Sequence, residues 1–145
     1  MIDSTVYLTQ TDTTIGFVSQ DTVRLDTIKE RPSHKSYIRA VDSLATLKSF
    51  TRIPLAHRNR VRRARKTTFV FPDGHSYRVI HNSTHLQLIG RLKWAYTTSA
   101  NQSGKAWDEA WARSVSDTVI EPLNAHHADP SRILRLSHTR IQKLR

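Results

Sequence analysis

The chain has 145 residues, 37% of them hydrophobic, with 23 lysines and arginines against 12 acidic residues and a formal net charge of +11. That length suits a single domain over 1–145 with a core of its own, and the absence of cysteine excludes disulfides and thiolate metal sites. No apolar run is long enough to span a bilayer and no signal-peptide pattern opens the chain, so a cytoplasmic protein with an anionic partner, not a membrane, is expected.

Val6 to Gln10 is β-branched and aromatic and reads as a strand, followed by the polar loop Thr11-Asp12-Thr13-Thr14, which Gly16 closes. Asp21 to Lys29 spaces Val23, Leu25 and Ile28 as a short amphipathic helix, which Pro32 should stop. Tyr37 to Val41 reads as a strand, and Ser43 as the N-cap of a helix over 44–50. Pro54 suits the first turn of a helix running to about Lys66. The β-rich runs 67–71 and 76–80 flank Pro72-Asp73-Gly74-His75, a hairpin signal. Ser83 could cap a helix carrying Leu86, Ile89 and Leu92, with a strand over 94–98 after it. A loop over 101–105, a helix over 108–115 and strands over 118–120 and 133–136 complete the pattern, with a polar loop over 124–131. The irregular alternation predicts an α/β domain with a twisted mixed sheet flanked by helices.

Charge is densest in Arg58-Asn59-Arg60-Val61-Arg62-Arg63-Ala64-Arg65-Lys66, where six of nine residues are basic. On a helix these cations repel one another, and an anionic partner relieves that cost. Arg58, Arg60, Arg62, Arg63, Arg65 and Lys66 are therefore candidate contacts to RNA phosphates. The apolar stripe left to this helix, Val61 and Ala64, is too thin for a membrane surface. His81 with His85, and the adjacent His126-His127, lack the acidic or cysteine partners of a familiar metal site and read as surface or anion-facing side chains. There is no Walker-type loop and no G-x-S-x-G elbow, so phosphates would have to be held by side chains and helix ends.

Four separated segments carry a further signal. They are Thr11-Asp12-Thr13-Thr14-Ile15-Gly16, Lys29-Glu30-Arg31-Pro32 with Lys35, Lys66-Thr67-Thr68-Phe69 followed by Tyr77-Arg78-Val79, and Thr98-Ser99-Ala100-Asn101-Gln102-Ser103-Gly104. In this order they resemble the YrdC/YciO family, the threonylcarbamoyl-AMP synthases and their relatives, as a shortened and divergent member. Ser-Ala-Asn-Gln-Ser-Gly is an intact match to that family's pattern, Lys-x-Arg-Pro nearly so, and Ser131-Arg132-Ile133 echoes its late Ser-Thr-Val.

The resemblance implies a positively charged cleft. It also implies condensation of L-threonine, bicarbonate and ATP, with Mg2+, into threonylcarbamoyl-AMP and pyrophosphate, which feeds threonylcarbamoyladenosine modification of tRNA. Lys29 and Arg31 would act on phosphate groups, with Lys35 nearby. Ser99 and Asn101 would contact the nucleotide, Thr11 and Thr13 the threonine, and Thr68, Arg78 and Ser131 would face the cleft. A protein partner from the tRNA-modification machinery is implied as well. The chain departs from the pattern at Gln10, Ile15, Arg39, Lys66, Thr67 and Arg132, which are substrate-shaping positions. A non-catalytic RNA- or nucleotide-binding module of the same fold is the alternative.

Overall fold

The computed structural model describes residues 2–30, 36–123 and 129–145. Its centre is a mixed sheet of nine strands among these residues. They are β1 (Tyr7–Gln10), β2 (Ile15–Ser19), β3 (Ile38–Val41), β4 (Thr67–Val70), β5 (Ser76–Val79), β6 (Trp94–Ser99), β7 (Thr118–Val119), β8 (Arg132–Leu136) and β9 (Ile141–Lys143). The spatial order is β7-β1-β2-β6-β3-β5-β4-β8-β9. The pairs β1–β7, β3–β5 and β4–β8 are parallel and the others antiparallel, so the expected mixed α/β sheet is what forms.

Among the described residues five helices pack on it: α1 (Thr22–Lys29), α2 (Leu44–Lys48), α3 (Arg58–Arg63), α4 (Ser83–Leu92) and α5 (Glu109–Val115). Side-chain alternation along the paired strands assigns them to faces. Leu8, Phe17, Val41, Tyr77, Phe69 and Leu134 point to one face, where Leu25 of α1, Leu47 of α2, Val61 of α3 and Ala112 of α5 cover them. Val18, Ala40 and Ala95 point to the other, where Leu88 and Ile89 of α4 pack. That second face is only partly covered, and the open part holds the pocket described below.

Several local expectations change. Residues 15–19 form strand β2, all of it buried, so Gly16 lies inside a strand and does not close a loop. Helix α1 ends at Lys29 as expected, with Glu30 in a left-handed conformation (φ 53°) that donates its N–H to Asp26 O. The helix expected to run from Pro54 to Lys66 is two short pieces, a 3-10 turn Leu55–His57 and α3. Ala64 is extended and Lys66 has φ 51°, which turns the chain into β4. Asn82, not Ser83, caps α4, accepting the His85 N–H at 2.9 Å. Asp108 caps α5, and β9 is a strand that sequence pattern did not reveal. The Asp73-Gly74 hairpin forms as expected, with Gly74 at φ 86° and its N–H donated to Phe71 O.

Candidate functional site

The uncovered part of the α4 face holds a cavity of about 390 Å³. The β1–β2 turn supplies Thr11, Thr13 and Thr14, β2 supplies Gly16, and β6 supplies Thr97, Thr98 and Ser99. Ile38 of β3 and Arg78 of β5 form part of the wall, while Ser131 and Arg145 close the side toward the C-terminal hairpin. Apart from Arg78 and Arg145 the polar lining is hydroxyl and backbone, which suits a polar substrate with anionic groups.

The threonine turn is built from its own side chains. Thr11 Oγ1 accepts the Thr13 N–H at 3.1 Å and lies 3.3 Å from Thr13 Oγ1, and the Thr11 N–H donates to Thr14 O. This closes β1 onto β2 and fixes both hydroxyls at the cavity. Gly16 is required by close approach: a Cβ there would sit 2.9 Å from the Thr98 carbonyl oxygen and 3.2 Å from Thr11 Cγ2.

Arg78 is buried and ion-pairs with buried Asp12 at 3.5 Å. Burial pulls the Arg78 guanidinium below its ordinary range and Arg145 adds to that, while Asp12 opposes them. His85 reaches the same cluster from α4. Burial, opposed by Asp12 and assisted by Arg78, lowers its imidazole from 6.5 to about 4. Neither ring nitrogen has a hydrogen-bond partner, and both Asp12 oxygens and Arg78 Nε likewise lack one. His85 is therefore a buried neutral imidazole, a correction to its reading as a surface or anion-facing histidine.

Arg145 donates from Nε to Ser131 O at 3.0 Å and from Nη2 to Ser131 Oγ at 3.4 Å. Ser131 Oγ is also 2.8 Å from Thr68 Oγ1, which places Thr68 behind the lining.

The Ser99-Ala100-Asn101 segment and the end of α1, 70 residues apart in sequence, meet in space as the motif order predicts. Lys29 is buried and its Nζ donates to the carbonyls of Ser99, at 2.8 Å, and of Asn101. Ser103 Oγ donates back to Lys29 O at 3.0 Å, and Asn101 Nδ2 donates to Gln102 O and Lys105 O. Lys29 thus holds the loop by its backbone, beside a second cavity of about 370 Å³ lined by Glu30, Gln102, Ser103 and Lys105. Thr11, Thr13, Arg78, Ser99 and Ser131 share the main cavity. Arg31, Lys35, His126 and His127 lie outside the described residues. Arg58, Arg60, Arg62, Arg63, Arg65 and Lys66 are all exposed, away from this cavity.

Sequence reasoning did not find Asp12, His85, Thr97 or Arg145. A strand-turn-strand reading of 132–145 would have brought Arg145 back beside Ser131. Among the described residues, no group of three or more His, Cys, Asp or Glu could hold a metal ion, and no helix is long and apolar enough to cross a membrane.

No protein-family model matches the sequence, and no curated protein matches it. Solved structures do match in shape. Sua5 of P. abyssi, complexed with L-threonine, superposes with a TM-score of 0.84 at 20% identity, covering 97% of this chain and 50% of that one. YciO of E. coli gives 0.73 at 16% identity, covering 98% of this chain and 82% of its own. Full-length HypF in its phosphate- and nucleotide-bound form gives 0.77 at 10% identity, with 26% of that chain covered. The chain spans about half the length of the Sua5 structure and has the YrdC/Sua5-type fold.

Proposed function

We propose that the main cavity binds a nucleotide and a small polar amino acid, and that the chain is a threonylcarbamoyl-AMP synthase. The observation that carries this reading is the pair of guanidiniums, Arg78 and Arg145, converging on a hydroxyl-lined cavity. The bound L-threonine of the Sua5 structure and the nucleotide of the HypF structure support it. The reaction joins L-threonine, bicarbonate and ATP. The threonine nitrogen acquires a carboxyl group from bicarbonate with loss of water. A carboxyl oxygen then bonds to the α-phosphorus as the bond to pyrophosphate breaks.

In this reading Arg78 and Arg145 hold the substrate carboxylate and phosphate oxygens, since charge-assisted bonds to guanidinium are strong and directional. Thr11, Thr13, Thr97 and Ser99 orient the amino acid and the ribose. Arg31 and Lys35 supply further phosphate contacts. Lys29, held by the Ser99 and Asn101 carbonyls, positions that loop. Mg2+ enters as part of the substrate, held by phosphate oxygens and water. The product would serve threonylcarbamoyladenosine formation in tRNA, with a protein partner receiving it.

The test is pyrophosphate release with ATP, Mg2+, bicarbonate and L-threonine. Threonine-dependent release is expected, and Arg145→Gln should lower kcat/KM by at least about tenfold, the effect of removing one charge-assisted hydrogen bond. The same variant should reduce the thermal stabilisation that ATP gives. A second reading, a binding module without turnover, is favoured by Ile15, which stands where the family pattern has tyrosine. ATP-dependent stabilisation with no pyrophosphate release would select it.

A further inference from the structure

The densest charge of the molecule is not at the cavity. Between Ser43 and Phe71 lie eight lysines and arginines and no acidic residue. These cations sit on α2, on the segment that follows it, on α3 and on the approach to β4, and all are exposed. Among the described residues none of them forms an ion pair, and Arg62 donates only to neutral Asn59, at 2.8 Å. Arg58 and Arg62 are four apart on α3, and Arg60 and Arg63 three apart, so neighbouring guanidiniums repel with no carboxylate between them.

This surface is rigid and its direction is fixed. Val61 is fully buried in the cluster formed by Val41, Phe69, Tyr77 and Leu134, which anchors α3 to the sheet. Those side chains point to the face opposite Ile38, Arg78 and Thr97, which line the cavity. The sheet therefore stands between the arginines and the nucleotide cavity. A groove of about 560 Å³ lined by Lys48, Thr51, Arg52, Ile53, Leu55 and Arg58 runs along one side of the patch. His57 Nε2 contacts Ser137 O at 3.0 Å, which brings the β8–β9 turn and exposed Arg140 alongside. On the same face Arg39 lies over the rings of Phe50, Trp94 and Tyr96, and among the described residues it forms no ion pair. Its charge adds to the field.

We infer that this second face, built on α2 and α3, binds the phosphate backbone of a nucleic acid, independently of the cavity. The chemistry fits: exposed guanidiniums on a fixed base neutralise successive phosphates and release counterions without reading sequence. A membrane surface does not fit. The apolar residue of α3 faces the sheet, and among the described residues Leu55, 76% exposed, and Ile141, 37% exposed beside Arg140, are isolated apolar side chains rather than a continuous apolar face.

The inference does not rest on the proposed turnover, and the experiment separates the two. Fluorescence anisotropy with an RNA duplex, and with DNA of the same sequence, is measured at several salt concentrations, with and without saturating ATP. Binding should weaken linearly in log–log form as salt rises, and ATP should leave it unchanged. Combined Arg58→Gln, Arg62→Gln and Arg63→Gln should lower affinity at least about tenfold and flatten the slope by about 0.7–0.9 for each phosphate no longer neutralised. The same positions changed to lysine should keep most of the binding. Stabilisation by ATP should be unaltered in both variants. Should the triple variant melt early, Arg62→Gln alone should still flatten the slope by about 0.7–0.9. Binding of either nucleic acid in this pattern supports the inference, the tighter one naming the source. Unchanged affinity in the glutamine variants, displacement by ATP, or preference for phosphatidylserine vesicles over both nucleic acids would overturn it.

Discussion

His85 carries the clearest pH signature in the molecule. Its ring is buried beside Asp12 and Arg78 with neither nitrogen paired, and it stays neutral down to about 4 against an ordinary value of 6.5. The unfolded chain takes up a proton near 6.5 that the folded chain refuses until about pH 4. The contribution is therefore fully present above 6.5 and is lost as pH falls through that window, by roughly 3 kcal/mol in all. His85→Leu removes the titration and a buried unpaired group together. Urea unfolding between pH 4 and 7 should show the wild type losing stability faster than the variant as pH falls, and parallel curves would contradict the assignment. Asp12 and Arg78 have a different logic. Each neutralises the other out of water, and the pair leaves one face of the guanidinium to the cavity, where Arg145 supplies the second positive charge. The contact of Asp12 and His85 with Arg78 was not legible from residue identity: Asp12 lies more than 60 residues from the other two, and the register of β5 and the docking of α4 make the three neighbours.

At the scale of elements, the readable parts were those with local causes. The cap at Ser43, the Asp73-Gly74 turn and the apolar spacing of α1 and α4 all predict their elements, because each cause lies within a few residues. The motif order likewise predicts that Thr11, Arg78 and Ser99 gather, and they do. What could not be read was set by tertiary partners. Strand β2 lacks alternation because both its faces are buried, so it looks like part of the preceding loop. The basic run looks like one long helix, yet the chain leaves α3 at Ala64 to reach β4. Gly16 shows what β2 must satisfy. Gly16→Ala would drive a methyl to 2.9 Å from a backbone oxygen of β6, which no rotamer can relieve. A loss of about 1–3 kcal/mol is expected, read as a lower urea midpoint, with ATP-dependent stabilisation weakened because the β1–β2 turn moves with the strand. Unchanged midpoint and binding would show that the strand yields.

For the whole molecule, the sheet is a partition. The cavity opens on the α4 face and the arginine surface on the α3 face, so the positive charge of the composition is presented on two separate surfaces. The partition is sealed late. Strand β4 has β5 on one side, but its other side is covered only by β8, more than 60 residues further along and parallel to it. A chain ending at residue 130 lacks both β8 and β9, leaving Phe69 and Phe71 without Leu134 and Leu136. Such a chain should show no cooperative thermal transition, and a sharp one would mean that the first 130 residues fold by themselves. There is a consequence in time. During synthesis β4 waits, its outer row of amides and carbonyls unpaired, until the residues of β8 have been made and can pair with it. The nascent chain is thus open to strand addition for the interval between the synthesis of β4 and that of β8. The neighbouring arginines, already made and mutually repelling, keep two such chains apart while they wait.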